Sequence, residues 1–222
     1  MPRETEIKLR ITDRNALLRA LKRLHASSSG QHSSRVHESN VIFDTPLGDL
    51  AKAGQLLRIR VETPSSKNSM PASKSRAVVT FKRPTPGRTE ASADAHRRFK
   101  VREELEFEAA DPAALSKLFE GLGLRGWFRY EKYRTTYRLP SSVAWARGLL
   151  IELDETPIGT FVELEGPPPA IDRAARELGF SPSHYILKNY LSLHLEECRR
   201  QGREPGDMLF SRPKSVSPKK KN

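Results

Sequence analysis

Polar and apolar side chains alternate strictly at the start of the chain. In residues 4–11, charged side chains fall on one face of an extended strand and aliphatic side chains fall on the other. The charged face carries two carboxylates and two cations: Glu4, Glu6, Lys8 and Arg10. Such a face makes a poor hydrophobic core, although it suits a divalent cation and an anion held side by side. Taken alone, the pattern also fits an ordinary amphipathic strand with one wet face.

The same alternation recurs along the chain and predicts eight strands. They cover residues 4–11, 36–43, 55–62, 77–83, 99–108, 130–139, 149–154 and 160–165. Apolar spacing and capping residues predict helices at residues 13–25, 111–122, 171–178 and 183–197. Polar segments at residues 27–34, 63–75 and 84–97 are predicted loops. We therefore expect a mainly β (α+β) fold, an eight-stranded antiparallel closed β-barrel with helices packed outside.

Clustered acids indicate which face of the strands points inward. Four same-face pairs recur: Glu4 with Glu6, Glu104 with Glu106, Glu152 with Asp154, and Glu163 with Glu165. Like charges across neighbouring strands destabilise a sheet, unless a hard cation such as Mg²⁺ or Mn²⁺ lies between them. We therefore expect the charged faces to line the interior and the apolar faces to pack against helices. The alternative is a sandwich or open sheet whose charged face meets bulk water.

Cations share these charged faces. They are Lys8, Arg58, Arg60, Lys82, Arg102, Lys132 and Arg134. Arginine offers a planar fork to phosphate oxygens, and lysine offers a compact charge. Acids and cations gathered in one interior suit a polyphosphate bound together with a metal ion. No Ser-His-Asp or Cys-His set and no zinc-type histidine spacing is evident.

The net charge of +12 indicates an anionic partner, but half of it lies at the C-terminus. Residues 199–222 carry eight Lys or Arg against Glu204 and Asp207, in a composition typical of disorder. We expect a domain of residues 1–198 and a basic, disordered tail of residues 199–222, which attracts polyanions weakly.

One cysteine, Cys198, permits no internal disulfide. Without an apolar leader or spanning segment, we expect a cytoplasmic protein with no membrane partner, as monomer or homodimer.

The first strand and several later segments resemble one family. Glu4-Thr5-Glu6-Ile7-Lys8 resembles the ExExK motif of the CYTH family, the triphosphate tunnel metalloenzymes. Further segments resemble the family in family order: residues 43–46, 57–60, 80–82, 102–106, 153–154, 159–165 and 188–190. The resemblance covers about residues 3–195. It implies an eight-stranded antiparallel tunnel that binds triphosphate compounds through Mg²⁺ or Mn²⁺.

The resemblance also implies roles for individual residues. Metal ligands would be Glu4, Glu6, Glu152, Asp154, Glu163 and Glu165. Triphosphate ligands would be Lys8, Arg58, Arg60, Lys82, Lys132, Arg134 and Lys188. Glu104 and Glu106, with Lys82, would be catalytic, holding a second metal or orienting an attacking group.

Three triphosphates compete as substrate: inorganic triphosphate, thiamine triphosphate, and ATP cyclised to cAMP and pyrophosphate. The segments 153–155 and 159–165 look most like the class IV adenylyl cyclase branch, but no adenine pocket is identifiable. We favour hydrolysis over cyclisation. A non-catalytic polyphosphate or RNA-binding module is the alternative that the basic tail favours. The acid pair Glu163 and Glu165 argues against it, because anion binding gains nothing from carboxylates.

Overall fold

Eight antiparallel strands close into a barrel in the computed structural model, which describes residues 1–28, 35–65, 75–85 and 98–211. The strands are β1 (Arg3–Ile11), β2 (Val36–Asp44), β3 (Leu56–Pro64), β4 (Arg76–Pro84), β5 (Lys100–Ala109), β6 (Arg125–Tyr137), β7 (Leu150–Thr156) and β8 (Gly159–Glu165). Their order around the barrel is β1-β5-β4-β3-β2-β6-β7-β8, and β8 pairs with β1. The predicted fold class is confirmed. The predicted loops 27–34, 63–75 and 84–97 lie largely outside the described residues.

Helices pack outside the barrel wall. In the described ranges they are α1 (Arg14–Arg23), α2 (Asp49–Lys52), α3 (Pro112–Gly121), α4 (Pro168–Glu177) and α5 (Tyr190–Arg200). The predicted caps are present, since the Asp13 and Asp111 carboxylates accept from first-turn amides at 2.9 Å. Within these ranges, none of the helices has the length and apolar character needed to cross a membrane.

Two predicted boundaries are wrong by five residues or more. Strand β6 begins at Arg125 rather than residue 130, because its first residues pair with the end of β2 as far as Asp44. Helix α5 begins at Tyr190 rather than residue 183, because Asn189 caps it by accepting from the Ser192 amide at 2.8 Å. The intervening Pro182–His184 forms a separate 3₁₀ turn.

The hydrophobic core lies between the barrel wall and the helices. Outward aliphatic side chains of β1, β7 and β8, among them Ile7 and Leu164, pack with Leu21 of α1 and Ile171 of α4. A second cluster joins outward residues of β2, β3 and β4 to α3. Because side chains alternate along each strand, burying the apolar faces outside turns the charged faces into the barrel.

The C-terminal segment packs against β6, although the composition predicts a disordered tail from residue 199 onward. Helix α5 extends to Arg200, and Met208 is only 1% exposed. Met208 donates its backbone amide to the Arg129 carbonyl, and its own carbonyl accepts from the Glu131 amide, both at 2.9 Å. Met208, Leu209 and Phe210 form too short an apolar run in a polar segment to show a periodic pattern, so the sequence gives no sign of this contact.

Candidate functional site

The barrel encloses a central cavity of about 240 Å³, to which all eight strands contribute side chains. Its acidic lining consists of Glu4, Glu6, Glu104, Glu106, Glu152, Glu163 and Glu165. Its cationic lining consists of Lys8, Arg58, Arg60, Lys82, Lys100, Arg102, Lys132 and Arg134. The predicted charged interior is therefore present, and most of the predicted site residues meet there.

Two predicted site residues do not line this cavity. Asp154 is fully buried in the wall, where it accepts from Lys132 Nζ at 2.9 Å and from the Tyr190 hydroxyl at 2.7 Å. Lys188 lies apart from the cavity on the segment before α5, with its ammonium 2.5 Å from Glu196 Oε1. Asp154 is thus placed to hold other side chains, and Lys188 is placed at the surface.

Arg134 is the centre of the most strongly charged part of the wall. Its guanidinium contacts Glu152 and Glu163, and its Nε lies 2.7 Å from Asp154 Oδ1. Burial disfavours the charged form of Glu163, but Lys8, 2.9 Å away, and Arg134 outweigh burial and hold its pKa well below the usual value. Glu163 is therefore ionised and paired with Lys8 and Arg134.

Carboxylates crowd together on the adjoining side of the cavity. Lys82 is shared between Glu4 Oε1 at 2.6 Å and Glu104 Oε1 at 3.0 Å. In the described part of the chain, no lysine or arginine forms an ion pair with Glu165. Burial, with the nearby Glu152 and Glu4, raises the pKa of Glu165 to about 8. Burial also raises the pKa of Glu152 to about 7.

This acidic group has the chemistry of a site for a hard divalent cation, which takes carboxylate oxygens and relieves their repulsion. Among the described residues, no three carboxylate, imidazole or thiolate groups already converge on one point. Lys8, Lys82 and Arg134 hold several of the acids in ion pairs instead. A cation therefore fits the donor set but has to replace ammonium and guanidinium partners.

The two arginines of β3 are oriented by neighbouring strands. Arg58 donates to the Tyr130 hydroxyl at 3.0 Å and to Thr80 Oγ1 at 2.9 Å. Arg60 donates to Glu106 Oε1 at 3.1 Å. These contacts hold both guanidinium groups toward the cavity, where their planar forks suit phosphate oxygens.

Two charged residues of the barrel interior, Glu38 and Lys100, are not among the site residues predicted from the sequence. Glu38 is 1% exposed, and its carboxylate lies 3.4 Å from Lys132, 3.6 Å from Arg134 and 3.9 Å from Arg60. Burial opposes its ionisation, but Lys132 and Arg134 lower the pKa of Glu38 to about 2. Lys100 donates to Glu6 at 2.7 Å. The polar alternation of Glu38 with Asn40 in the second strand is the signal that would have identified the carboxylate.

Comparison with known proteins places this site in a family. The CYTH domain model matches residues 2–182 of the chain. No curated protein matches the chain.

Solved structures with the same fold share little sequence with the chain. A protein of Pyrococcus horikoshii, PH1819, has a TM-score of 0.65 at 22% identity, over 87% of this chain and 99% of its own. A protein of Vibrio parahaemolyticus named putative adenylate cyclase has a TM-score of 0.63 at 16% identity, over 86% of this chain and 96% of its own. A Hippeastrum protein named putative adenylyl cyclase, described as having a dominant triphosphatase activity, has a TM-score of 0.50 at 23% identity, over 91% of this chain and 97% of its own.

Proposed function

Because the chain belongs to the CYTH family, we propose that it is a divalent-metal-dependent triphosphatase that hydrolyses inorganic or organic triphosphate inside the barrel. The observation that carries the proposal is the composition of the central cavity. Cations oriented for phosphate lie beside carboxylates that crowd around Glu165, which has no cationic partner among the described residues. A site for anions alone would have no use for these carboxylates.

Glu4, Glu104, Glu152 and Glu165 are the residues that would hold a divalent cation, with Glu6 and Glu163 beside them. Their oxygens are the ligands that Mg²⁺ and Mn²⁺ prefer. When bound, the ion would neutralise the acids and the phosphates together and supply Lewis-acid assistance to phosphoryl transfer.

The resting ion pairs suggest how this chain's own residues bind the substrate. Lys8, Lys82 and Arg134 exchange their carboxylate partners for phosphate oxygens, so that no cation is left unpaired in the bound state. The Arg58 and Arg60 side chains already point into the cavity. They donate to the triphosphate without any rearrangement of β3. Glu106, which accepts from Thr80 at 2.8 Å, would orient the attacking water together with Glu104.

Cyclisation of ATP to cAMP and pyrophosphate is the second candidate. It would use the same phosphate ligands, and two proteins of the same fold carry adenylate cyclase names. The triphosphatase description of the Hippeastrum protein favours hydrolysis. Cyclisation also requires a bound nucleoside and an activated 3′-hydroxyl.

A substrate panel tests the proposal. The full chain is incubated with inorganic triphosphate, thiamine triphosphate or ATP in Mg²⁺, Mn²⁺ or EDTA, and phosphate, pyrophosphate and cAMP are measured. We expect metal-dependent release of orthophosphate that EDTA abolishes. Release of cAMP with pyrophosphate from ATP would favour the cyclase. Tight triphosphate binding without turnover in either metal would overturn the proposal in favour of a binding module.

A further inference from the structure

Strand β6 is much longer than its neighbour β7, and the difference leaves part of one β6 edge without a strand partner. The two strands pair only along Tyr133–Tyr137 of β6. The C-terminal segment 207–210 covers the edge that β7 leaves open. Its Met208 forms a parallel bridge with Tyr130, and its Asp207 carboxylate accepts from the Arg129 amide at 2.9 Å.

Further contacts fasten this segment on both sides of Met208. The Gly206 carbonyl lies 2.8 Å from His194 Nε2 of α5. On the other side, the Phe210 amide donates to Glu131 Oε2 at 3.1 Å, and its ring packs against Tyr133 with centroids 5.1 Å apart. The segment is therefore fixed to both β6 and α5, and all of it lies beyond residue 182, where the family match ends.

Met208 is connected to the cavity indirectly, through the side chains of two tyrosines. Its side chain belongs to a buried cluster that includes Tyr130, Tyr190 and Phe161. Tyr130 and Tyr190 also line the cavity. The Tyr130 hydroxyl accepts from Arg58, and the Tyr190 hydroxyl donates to Asp154, which in turn holds Lys132 and Arg134.

We propose that Met208 is a positioning residue for phosphate binding, which acts through Tyr130 on Arg58. The inference rests on the proposed function for the identity of the anion. Tyr130 lies on the part of β6 that lacks support from β7, so the C-terminal segment is what fixes its ring from that side. A loosened ring would let the Arg58 guanidinium lose its hydroxyl partner and its direction.

The test compares full-length variants that are folded by circular dichroism. Met208→Ala should weaken calorimetric binding of inorganic triphosphate, measured in EDTA so that it is not hydrolysed, by about three- to tenfold, in the lower part of the range for coupled contacts. Leu209→Ala is the matched control, because Leu209 is the next residue and 44% exposed, and it should bind like the wild type. Met208→Leu keeps the volume and should restore binding.

A double variant separates positioning from general destabilisation. Tyr130→Phe removes the hydroxyl that Arg58 contacts, so Met208→Ala should add little to its loss of affinity. Additive losses, or unchanged binding in folded Met208→Ala, would overturn the inference.

A ligand-free readout keeps this test independent of the proposed function. The Arg58 Nε–H NMR signal, assigned through its absence in Arg58→Lys, should shift in Met208→Ala and stay in place in Leu209→Ala. An unmoved signal would contradict the positioning role. Absent turnover with a shifted signal would instead contradict only the proposed function.

Discussion

Buried ion pairs determine the resting charge state of the cavity residue by residue. Lys82 is held by Glu4, and Arg134 is held by four acids, whereas Glu165 is left among carboxylates. Removing one member of a buried pair leaves an uncompensated charge and costs about 3–5 kcal/mol of stability. Removing a charge from a crowded like-charged group relieves repulsion instead. The two cases give opposite predictions.

Glu165→Gln should inactivate the protein without destabilising it. Because a pKa of about 8 leaves the Glu165 carboxyl largely protonated at neutral pH, the amide should leave the metal-free melting temperature unchanged at pH 7. Above pH 8 the amide removes one charge from a crowded acidic group, so the melting temperature should rise relative to the wild type. Turnover should fall by at least about 100-fold, since even residues that only support metal ligands cost 10–100-fold. Glu103→Gln is the control, because Glu103 pairs with Arg83 and does not line the cavity. Retained turnover in Glu165→Gln would contradict its role as a metal ligand.

Glu38→Gln should destabilise the free protein and make it more responsive to ligand. Lys132, Arg134 and Arg60 would lose a shared anion, at a cost of about 3 kcal/mol. Bound triphosphate supplies negative charge to the same cations, so it should raise the melting temperature of the variant more than that of the wild type.

The control for that experiment is Glu155→Gln, which removes a partly exposed partner of Arg35 and should cost less than about 1 kcal/mol. Equal ligand-induced shifts in Glu38→Gln and the wild type would show that Glu38 does not share its cations with the ligand.

At the scale of elements, strand ends decide where the acids lie. Strand β8 stops immediately after Glu165, at Gly166, whose amide donates to the Thr5 carbonyl at 3.0 Å. Gly166 has φ of +147°, and a Cβ there would lie 2.7 Å from the Gly148 carbonyl oxygen. Only glycine allows this close passage of two backbone segments. The end of β8 and the position of its last carboxylate therefore depend on one residue.

Gly166→Ala should lower the free energy of unfolding by about 1–3 kcal/mol, the usual cost of a strained backbone. It should also lower turnover, because the backbone shift moves Glu165. Gly121→Ala is the matched control, since nothing lies within 4 Å of its added Cβ and alanine favours the helix. Chemical denaturation of both variants measures the difference in the free energy of unfolding. Equal stability would show that the close approach of Gly166 to Gly148 does not require glycine.

At the scale of the whole molecule, the packing of Met208 and Phe210 extends the described domain beyond Cys198. Residues 212–222 contain one arginine and four lysines and no acid. We expect these last residues to be dispensable for the cavity.

A chain that ends at residue 211 should keep the turnover and melting temperature of the full chain. It should bind RNA or long polyphosphate more weakly, and the difference should shrink as salt rises, because each cation–phosphate contact releases counterions. Binding measured at several salt concentrations checks this. If the full and shortened chains bind RNA and polyphosphate with the same affinity at low salt, the removed residues do not contribute to polyanion binding.

The sequence by itself determined which side chains share a face. Side chains alternate between the two faces of a strand whatever its pairing register. The sequence pattern therefore places Glu4, Glu6 and Lys8 on one face without knowledge of the neighbouring strands. The same periodicity predicted the strands, the barrel and its charged interior. It did not identify Met208, whose packing partners lie on distant strands and on α5, or the early start of β6, which pairing with β2 decides.

Only the tertiary structure decided which charges meet. Lys82 pairs with Glu4 across 78 residues of sequence, and Lys100 pairs with Glu6 across 94. Barrel closure brings such strands together, and its register selects each partner. It also leaves Asp154 in the wall and Lys188 outside, although both follow the charged pattern of the family. Local alternation fixes the direction of a side chain, whereas its neighbours depend on distant strands, because a short-range pattern carries no information about pairing register.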